Sequence, residues 1–199
     1  MLCLMLKDLS LENVLVYLVG FAGTGKLTIA RALAEATGAK VVDNQWINNP
    51  IFGLLDHDRL TPYPAAVWRQ IDKVRDAVLE TIATLGAARA SYVFTHEGFE
   101  GDPGDRQIYE AIRQTAHRRG ACFLPIRLIC NEDEIVKRVV SPDRALRLKN
   151  MDPERSLRSV RNSIVLKPNH ENEVMLDISE KQPPEVVSMI LEQVVHCKA

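Results

Sequence analysis

Gly20-Phe21-Ala22-Gly23-Thr24-Gly25-Lys26-Leu27-Thr28 follows six apolar residues, Val14-Leu15-Val16-Tyr17-Leu18-Val19, and leads into a helical pattern from Thr28 to Ala36. The nonapeptide fits the phosphate-binding pattern G-x-x-x-x-G-K-[ST] at every position but the last. Glycines let the backbone take positive φ and approach an anion with no Cβ in the way. Successive N–H groups then form an anion-binding nest. The following helix adds its unpaired N–H groups and the positive end of its dipole. Lys26 adds a mobile charge for β- and γ-phosphates. The loop Gly20, Phe21, Ala22, Gly23, Thr24, Gly25, Lys26, Leu27 and Thr28 is therefore the candidate binding site for a nucleoside triphosphate.

The residue after the lysine normally gives a hydroxyl to Mg²⁺. Here it is Leu27, which has no oxygen. Thr28 comes next, but one helical step turns the side chain by about 100°. Three readings are open. Mg²⁺ is held by waters, nucleotide and a carboxylate elsewhere; or Thr28 reaches it through a shifted turn; or the site binds nucleotide and transfers phosphate poorly.

Outward from the loop, strand and helix patterns alternate. Lys26 to Thr37 reads as a helix stopped by Gly38, and Lys40 to Asp43 as a short second strand. Asn44 to Pro64 is irregular, rich in asparagine and proline, as a loop or short helices would be. Ala65 to Leu85 carries Val67, Ile71, Val74, Val78, Ile82 and Leu85 at helical spacing. Ser91 to Thr95 is a third strand, Asp105 to Arg118 a helix, and Cys122 to Cys130 a fourth strand. Asn131-Glu132-Asp133-Glu134 resembles a capping box, and Asp152-Pro153-Glu154 is a helix start. Glu173 to Ile178 is a fifth strand and Pro184 to His196 a closing helix. This order predicts one α/β domain over residues 1–199, a parallel sheet joined by right-handed crossovers, with ligands at the carboxyl ends of the strands.

Those ends carry the candidate chemistry. Asp43 ends strand two, His96 and Glu97 end strand three, and Ser179 follows strand five. Asp43 is the candidate for orienting or deprotonating a hydroxyl, or for a water-mediated Mg²⁺ contact. Glu97 is its rival for the metal. Thr28, Asp43 and Glu97 are the candidate Mg²⁺ residues. Between Lys137 and Arg161 there are eight basic residues against three acids, a basic segment that offers Arg138, Arg144, Arg147 and Lys149 to phosphate oxygens. Arg138 and Arg144 are the two chosen. Trp46, Tyr63 and Trp68 are candidate walls of an acceptor pocket, with core packing the stronger reading for Trp68.

Composition narrows the classes. The chain has 199 residues, 46% hydrophobic, with net charge −1, which gives no global signature of nucleic-acid or membrane binding. Cys3, Cys122, Cys130 and Cys197 have no C-x-x-C spacing, so reduced cysteines and a cytoplasmic protein are expected. The five histidines have no metal-ligand spacing. Met1 to Asp8 is apolar but too short and too soon charged for a signal peptide. No run of 18 apolar residues occurs, so no membrane span is expected. There is no Asn-Lys-x-Asp base-reading motif, which argues against a regulatory GTPase.

The order of these features resembles the small-molecule and nucleotide kinases among P-loop proteins, such as shikimate, gluconate and adenylate kinases and chloramphenicol phosphotransferase. The likeness runs from about Val14 to Val195. It implies a three-layer P-loop NTPase fold, with a five-stranded parallel sheet in order 2-3-1-4-5, helices on both faces and a small lid. It also implies a substrate-binding segment at about residues 44–85 and a lid at about 138–160. By the same resemblance, Asp43 matches the acid that meets the substrate hydroxyl, Arg138 an adenine-side arginine and Arg144 a lid arginine. Leu176-Asp177-Ile178-Ser179 resembles the strand end whose following loop borders adenine. The implied cofactors are ATP and Mg²⁺. The implied activity is transfer of the γ-phosphoryl group to a small hydroxylated acceptor, with Lys26, Asp43, Glu97 and Arg144 as catalytic candidates and a monomer or homodimer as the assembly. The alternatives are a nucleotide kinase and a non-catalytic nucleotide-binding or sensing module. Departures are Leu27, the Asn44-Gln45 pair after Asp43, and the lack of acceptor-pocket arginines before Arg59. The Gly-Lys-Leu-Thr form also resembles shikimate-kinase-like ATPases that lack the hydroxyl.

Overall fold

A computed structural model describes residues 11–58, 61–142, 144, 149 and 151–197. Met1 to Asp8 with Cys3, and also Arg59 and Arg147, lie outside the described residues. The elements run β1 (Val14–Val19), α1 (Lys26–Thr37), β2 (Lys40–Asp43), α2 (Asn44–Phe52), α3 (Ala65–Thr84), β3 (Tyr92–His96), α4 (Pro103–Arg118), β4 (Cys122–Ile129), α5 (Glu132–Val139), α6 (Pro153–Asn162), β5 (Val174–Asp177) and α7 (Pro183–Val194). The sheet order is β2-β3-β1-β4-β5, and all four strand pairs are parallel. This is the order expected.

Alternation along the central strand explains why the sheet is covered on both faces. Leu15, Tyr17 and Val19 point into one core with Phe94, Phe123, Ile71, Leu79 and Ile112, beneath α2, α3 and α4. Val14, Val16 and Leu18 point into the other with Leu124, Ile126, Leu33, Val187 and Ile190, against α1 and α7. Each face must bury its apolar side chains against helices, and the result is three layers.

Helix starts follow their caps. Asn131 accepts from the Glu134 N–H at 2.9 Å to open α5. Asp152 accepts from the Glu154 and Arg155 N–H groups at 2.9 and 3.1 Å to open α6. Gly38 ends α1 at φ 75°, where a side chain would be strained. The irregular stretch after β2 resolves first into α2, which carries Pro50 within it.

Two expectations are corrected. Cys122 and Cys197 are not separate thiols but a disulfide across 75 residues, joining the start of β4 to the chain just past α7. Their lack of motif spacing hid this, because the sheet and α7 bring them together. A cross-link restricts the unfolded chain. Cys197→Ser is expected to lower stability by about 2–4 kcal/mol in urea unfolding; an unchanged midpoint would show the link contributes nothing. Trp68 is not core: it is 43% exposed, with edge contacts to Phe52 and Tyr63. No described helix is long and apolar enough to cross a membrane.

Candidate functional site

The β1–α1 loop is shaped by what surrounds it. Gly23 and Gly25 take φ of 87° and 84°. A Cβ on Gly23 would stand 2.8 Å from the Val139 side chain, and one on Gly20 would stand 2.7 Å from the Leu128 carbonyl oxygen. Both glycines are therefore required by the close approach of α5 and β4. Thr24 is buried and turns its hydroxyl onto the Phe21 carbonyl at 2.9 Å.

Lys26 lies folded over the loop, donating to the Gly20 and Phe21 carbonyl oxygens at 2.8 and 2.7 Å. Burial pulls its ammonium from the ordinary 10.5 down to about 8; Glu97 and Asp43 pull it up, while Lys149 and Arg144 push it further down. Phosphate oxygens favour the charged form, so an ATP held at this loop would raise this value again. Its affinity would then be full below about pH 8 and decline above it. The free protein shows the opposite sign. Between about 8 and 10.5 the unfolded chain holds the proton that the folded chain has lost, so this group's contribution to stability grows as pH rises. Thermal scans with and without ATP from pH 7 to 10 are expected to show the ATP-induced shift shrinking. A constant shift across that range would place Lys26 away from the phosphates.

One cleft of about 330 Å³ gathers the candidates. Its walls include Ala22, Gly23, Gly25, Lys26, Leu27, Thr28, Asp43, Glu97, Arg138 and Arg144. Gly20, Phe21 and Thr24 support it from behind as loop backbone and buried turn. Ser179 is not part of the lining; its hydroxyl accepts the Asn131 N–H at 2.9 Å and ties the end of β5 to the end of β4. Thr28 is exposed in the cleft, while Leu27 is buried.

Asp43 is 3% exposed at the end of β2. Thr95 of β3 donates its hydroxyl to Asp43 Oδ1. Lys149 Nζ lies 3.3 Å from Asp43 Oδ2. Glu97 accepts the Ala22 N–H at 3.0 Å, which holds the loop to the end of β3. Arg138 rests beside the loop, 3.5 Å from the Thr24 carbonyl oxygen, and pairs with Glu134 at 2.8 Å. Burial lowers the Arg144 guanidinium from its ordinary value, opposed by Glu97. Among the described residues of the lining, Lys26, Arg31, Arg138, Arg144 and Lys149 thus stand against the carboxylates of Asp43 and Glu97, an excess of positive charge suited to a polyphosphate.

The sequence reading did not single out Thr95, Arg31 or Phe52, and noted Asn44 and Gln45 only as a departure from the kinase pattern; all five line the cleft. Phe52 stacks on Tyr63 at 4.4 Å between ring centroids, so Tyr63 supports that wall. Trp46 is 54% exposed and is not in the lining. Arg75, also passed over, is buried on α3 and borders a small crevice with Asn44, Thr95 and His96. Its sequence signal was a charge four residues from both Ile71 and Leu79, inside an apolar helical stripe.

No family model and no curated protein matches the sequence. Solved structures do match the fold. A sugar kinase from Janibacter sp. superposes with a TM-score of 0.59 at 20% identity, over 92% of this chain and 95% of that one. A gluconokinase from Sinorhizobium meliloti gives 0.58 at 18%, over 94% of each chain. A shikimate kinase from Acinetobacter baumannii, in complex with shikimate, gives 0.57 at 17%, over 96% of each. The chain therefore has the three-layer α/β fold of these small-molecule kinases, along nearly its whole length.

Proposed function

We propose that the protein is an ATP-dependent phosphotransferase that moves the γ-phosphoryl group to a hydroxyl of a small-molecule acceptor. One observation carries this: the glycine loop with Lys26 and the buried carboxylate of Asp43 line the same cleft. The kinase fold supports it.

In this reading the loop N–H groups and Lys26 hold the β- and γ-phosphates, and Arg138 flanks the nucleotide. Asp43 accepts a hydrogen bond from the acceptor hydroxyl and takes its proton as the oxygen attacks the γ-phosphorus. The bond from the γ-phosphorus to the bridging oxygen breaks, and ADP leaves. Arg144 and Lys149 stabilise charge on the equatorial oxygens. Mg²⁺ commonly keeps several waters and takes one or two carboxylates plus phosphates. Asp43 and Glu97, with the exposed Thr28 hydroxyl, offer such a set in the cleft. These residues would hold Mg²⁺, which when bound would neutralise phosphate charge. Residues 44–85 form the acceptor-binding segment and residues 138–160 the lid of a single domain. We place the protein in the cytoplasm, as a monomer or homodimer. The Cys122–Cys197 disulfide is the feature that runs against a reducing compartment.

A screen of ATP consumption with Mg²⁺, over sugars, sugar acids, nucleosides and aminoglycoside-like or phenicol-like alcohols, tests the proposal. One acceptor-dependent rate is the expected result. ATP binding without turnover on any acceptor favours a binding-only module, a reading that draws on the oxygen-free Leu27.

A further inference from the structure

We infer that His96 is a positioning residue for Glu97, held by a buried hydrogen-bond chain from Tyr17 through His96 to Asp105. The inference rests on the nucleotide-site reading above. Tyr17 and His96 are 0% and 2% exposed. Tyr17 Oη stands 2.6 Å from His96 Nδ1, and His96 Nε2 stands 3.2 Å from Asp105 Oδ1. Asp105 Oδ2 accepts the Phe99 N–H at 2.8 Å. So one carboxylate at the start of α4 holds both the ring and the backbone three residues further on.

The proton positions follow from donor counting. An ionised Asp105 only accepts, so Nε2 carries the proton it donates. The neutral ring then accepts at Nδ1 from the Tyr17 hydroxyl, and every donor in the chain has an acceptor. Burial, with the Asp105 charge adding to it, holds the Tyr17 phenol well above its ordinary value, so it stays an O–H donor.

The ring is thus engaged at both nitrogens and has none left for a ligand. What it fixes is the backbone that carries Glu97. The His96 carbonyl accepts the Gly20 N–H at 3.3 Å, and the next residue, Glu97, accepts the Ala22 N–H at 3.0 Å. The last residue of β3 and the one after it therefore stitch the glycine loop in place. Gly98 completes the fit, since a Cβ there would stand 3.0 Å from His96 Cε1 and Nδ1. Without the chain the ring can turn, and Glu97 loses its aim at the loop and at a metal bound there. Groups that orient a functional carboxylate from behind carry large effects in other sites, about tenfold or more.

A double-mutant cycle on Mg²⁺-ATP affinity, read by titration calorimetry, tests this. Tyr17→Phe and Glu97→Gln keep side-chain shape, and Asp105→Asn probes the ring from its other nitrogen. Each single variant is expected to weaken binding by about tenfold. Adding Tyr17→Phe to Glu97→Gln is expected to change affinity by less than about twofold, because the chain acts through Glu97. Asp105→Asn should behave in the same way. A chain that only stabilises the fold lowers the melting temperature of the free protein but leaves the two effects multiplicative, and that result overturns the inference. So does a Glu97→Gln effect below about twofold. If the unmodified protein binds no Mg²⁺-ATP, the nucleotide reading itself fails; binding with multiplicative effects sinks the His96 role alone.

Discussion

Lys26→Ala is expected to remove half or more of the thermal stabilisation that ATP gives the unmodified protein. The size follows from linkage. ATP at about one hundred times its dissociation constant stabilises the folded state by about 2.7 kcal/mol. For a chain of this length each kcal/mol moves the melting temperature by about 2–4 °C, so the shift is about 5–10 °C. Charge-assisted hydrogen bonds contribute about 1.5–3 kcal/mol each, and losing the ammonium therefore weakens binding by about 10- to 100-fold. At the same ATP concentration a hundredfold loss leaves about 0.4 kcal/mol, a shift near 1 °C. In the free protein Lys26 donates to the carbonyl oxygens of Gly20 and Phe21, so the variant's own melting temperature must be the baseline. Differential scanning fluorimetry with and without ATP makes the comparison. Undiminished stabilisation in Lys26→Ala would remove the phosphate role from this loop.

The parts of this site that were readable in the sequence are those encoded locally. Six consecutive apolar residues, too few for a helix, rich in valine and stopped by a glycine, fit a strand buried on both faces, and the glycines before Lys26 fit a bend that starts a helix. Asp43 and Glu97 were legible because a strand ends beside each of them, and chain reversal puts strand ends on one rim. Contacts between distant segments were not legible. Thr95 meets Asp43 across 52 residues and Lys149 meets it across 106, with no spacing that announces either contact. The first depends on the parallel register, in which Asp43 pairs with Thr95, and the second on a residue outside every strand that folds back over the end of β2. The disulfide has the same origin: β4 and α7 must be packed before Cys122 and Cys197 can meet. Tyr17 and Asp105 were hidden differently. Tyr17 sat in the apolar run of the first strand, and Asp105 stood at the start of a helical pattern. Only the sheet, which sets His96 beside Val19, brings the phenol and the carboxylate to the two sides of one imidazole.

Asp43→Asn separates chemistry from nucleotide binding. With the acceptor identified by the screen, turnover is expected to fall by about 10²- to 10⁴-fold, the range of a lost general base. Thermal stabilisation by ATP without Mg²⁺ is expected to stay, because in the proposed reading the loop and Lys26 hold the phosphates without this carboxylate. The substitution keeps the shape and one oxygen, so Thr95 retains an acceptor if the amide oxygen faces it. The amide nitrogen then faces Lys149, where the carboxylate had faced it at 3.3 Å. The neutral amide no longer attracts this ammonium by charge, and what remains of the pairing is the oxygen on the Thr95 side, 3.5 Å from Nζ in the unmodified protein. The variant therefore loses two things together: the base for the hydroxyl proton, and the anion that draws Lys149 to the acceptor side of the cleft. Asp43→Glu distinguishes them, because a longer carboxylate can still attract the ammonium while displacing the point of proton transfer. If Asp43→Glu recovers little turnover, the placement of the base dominates. If it recovers most, the charge on Lys149 does. Full turnover in Asp43→Asn would move the hydroxyl-activating role to Glu97, the other carboxylate lining the cleft.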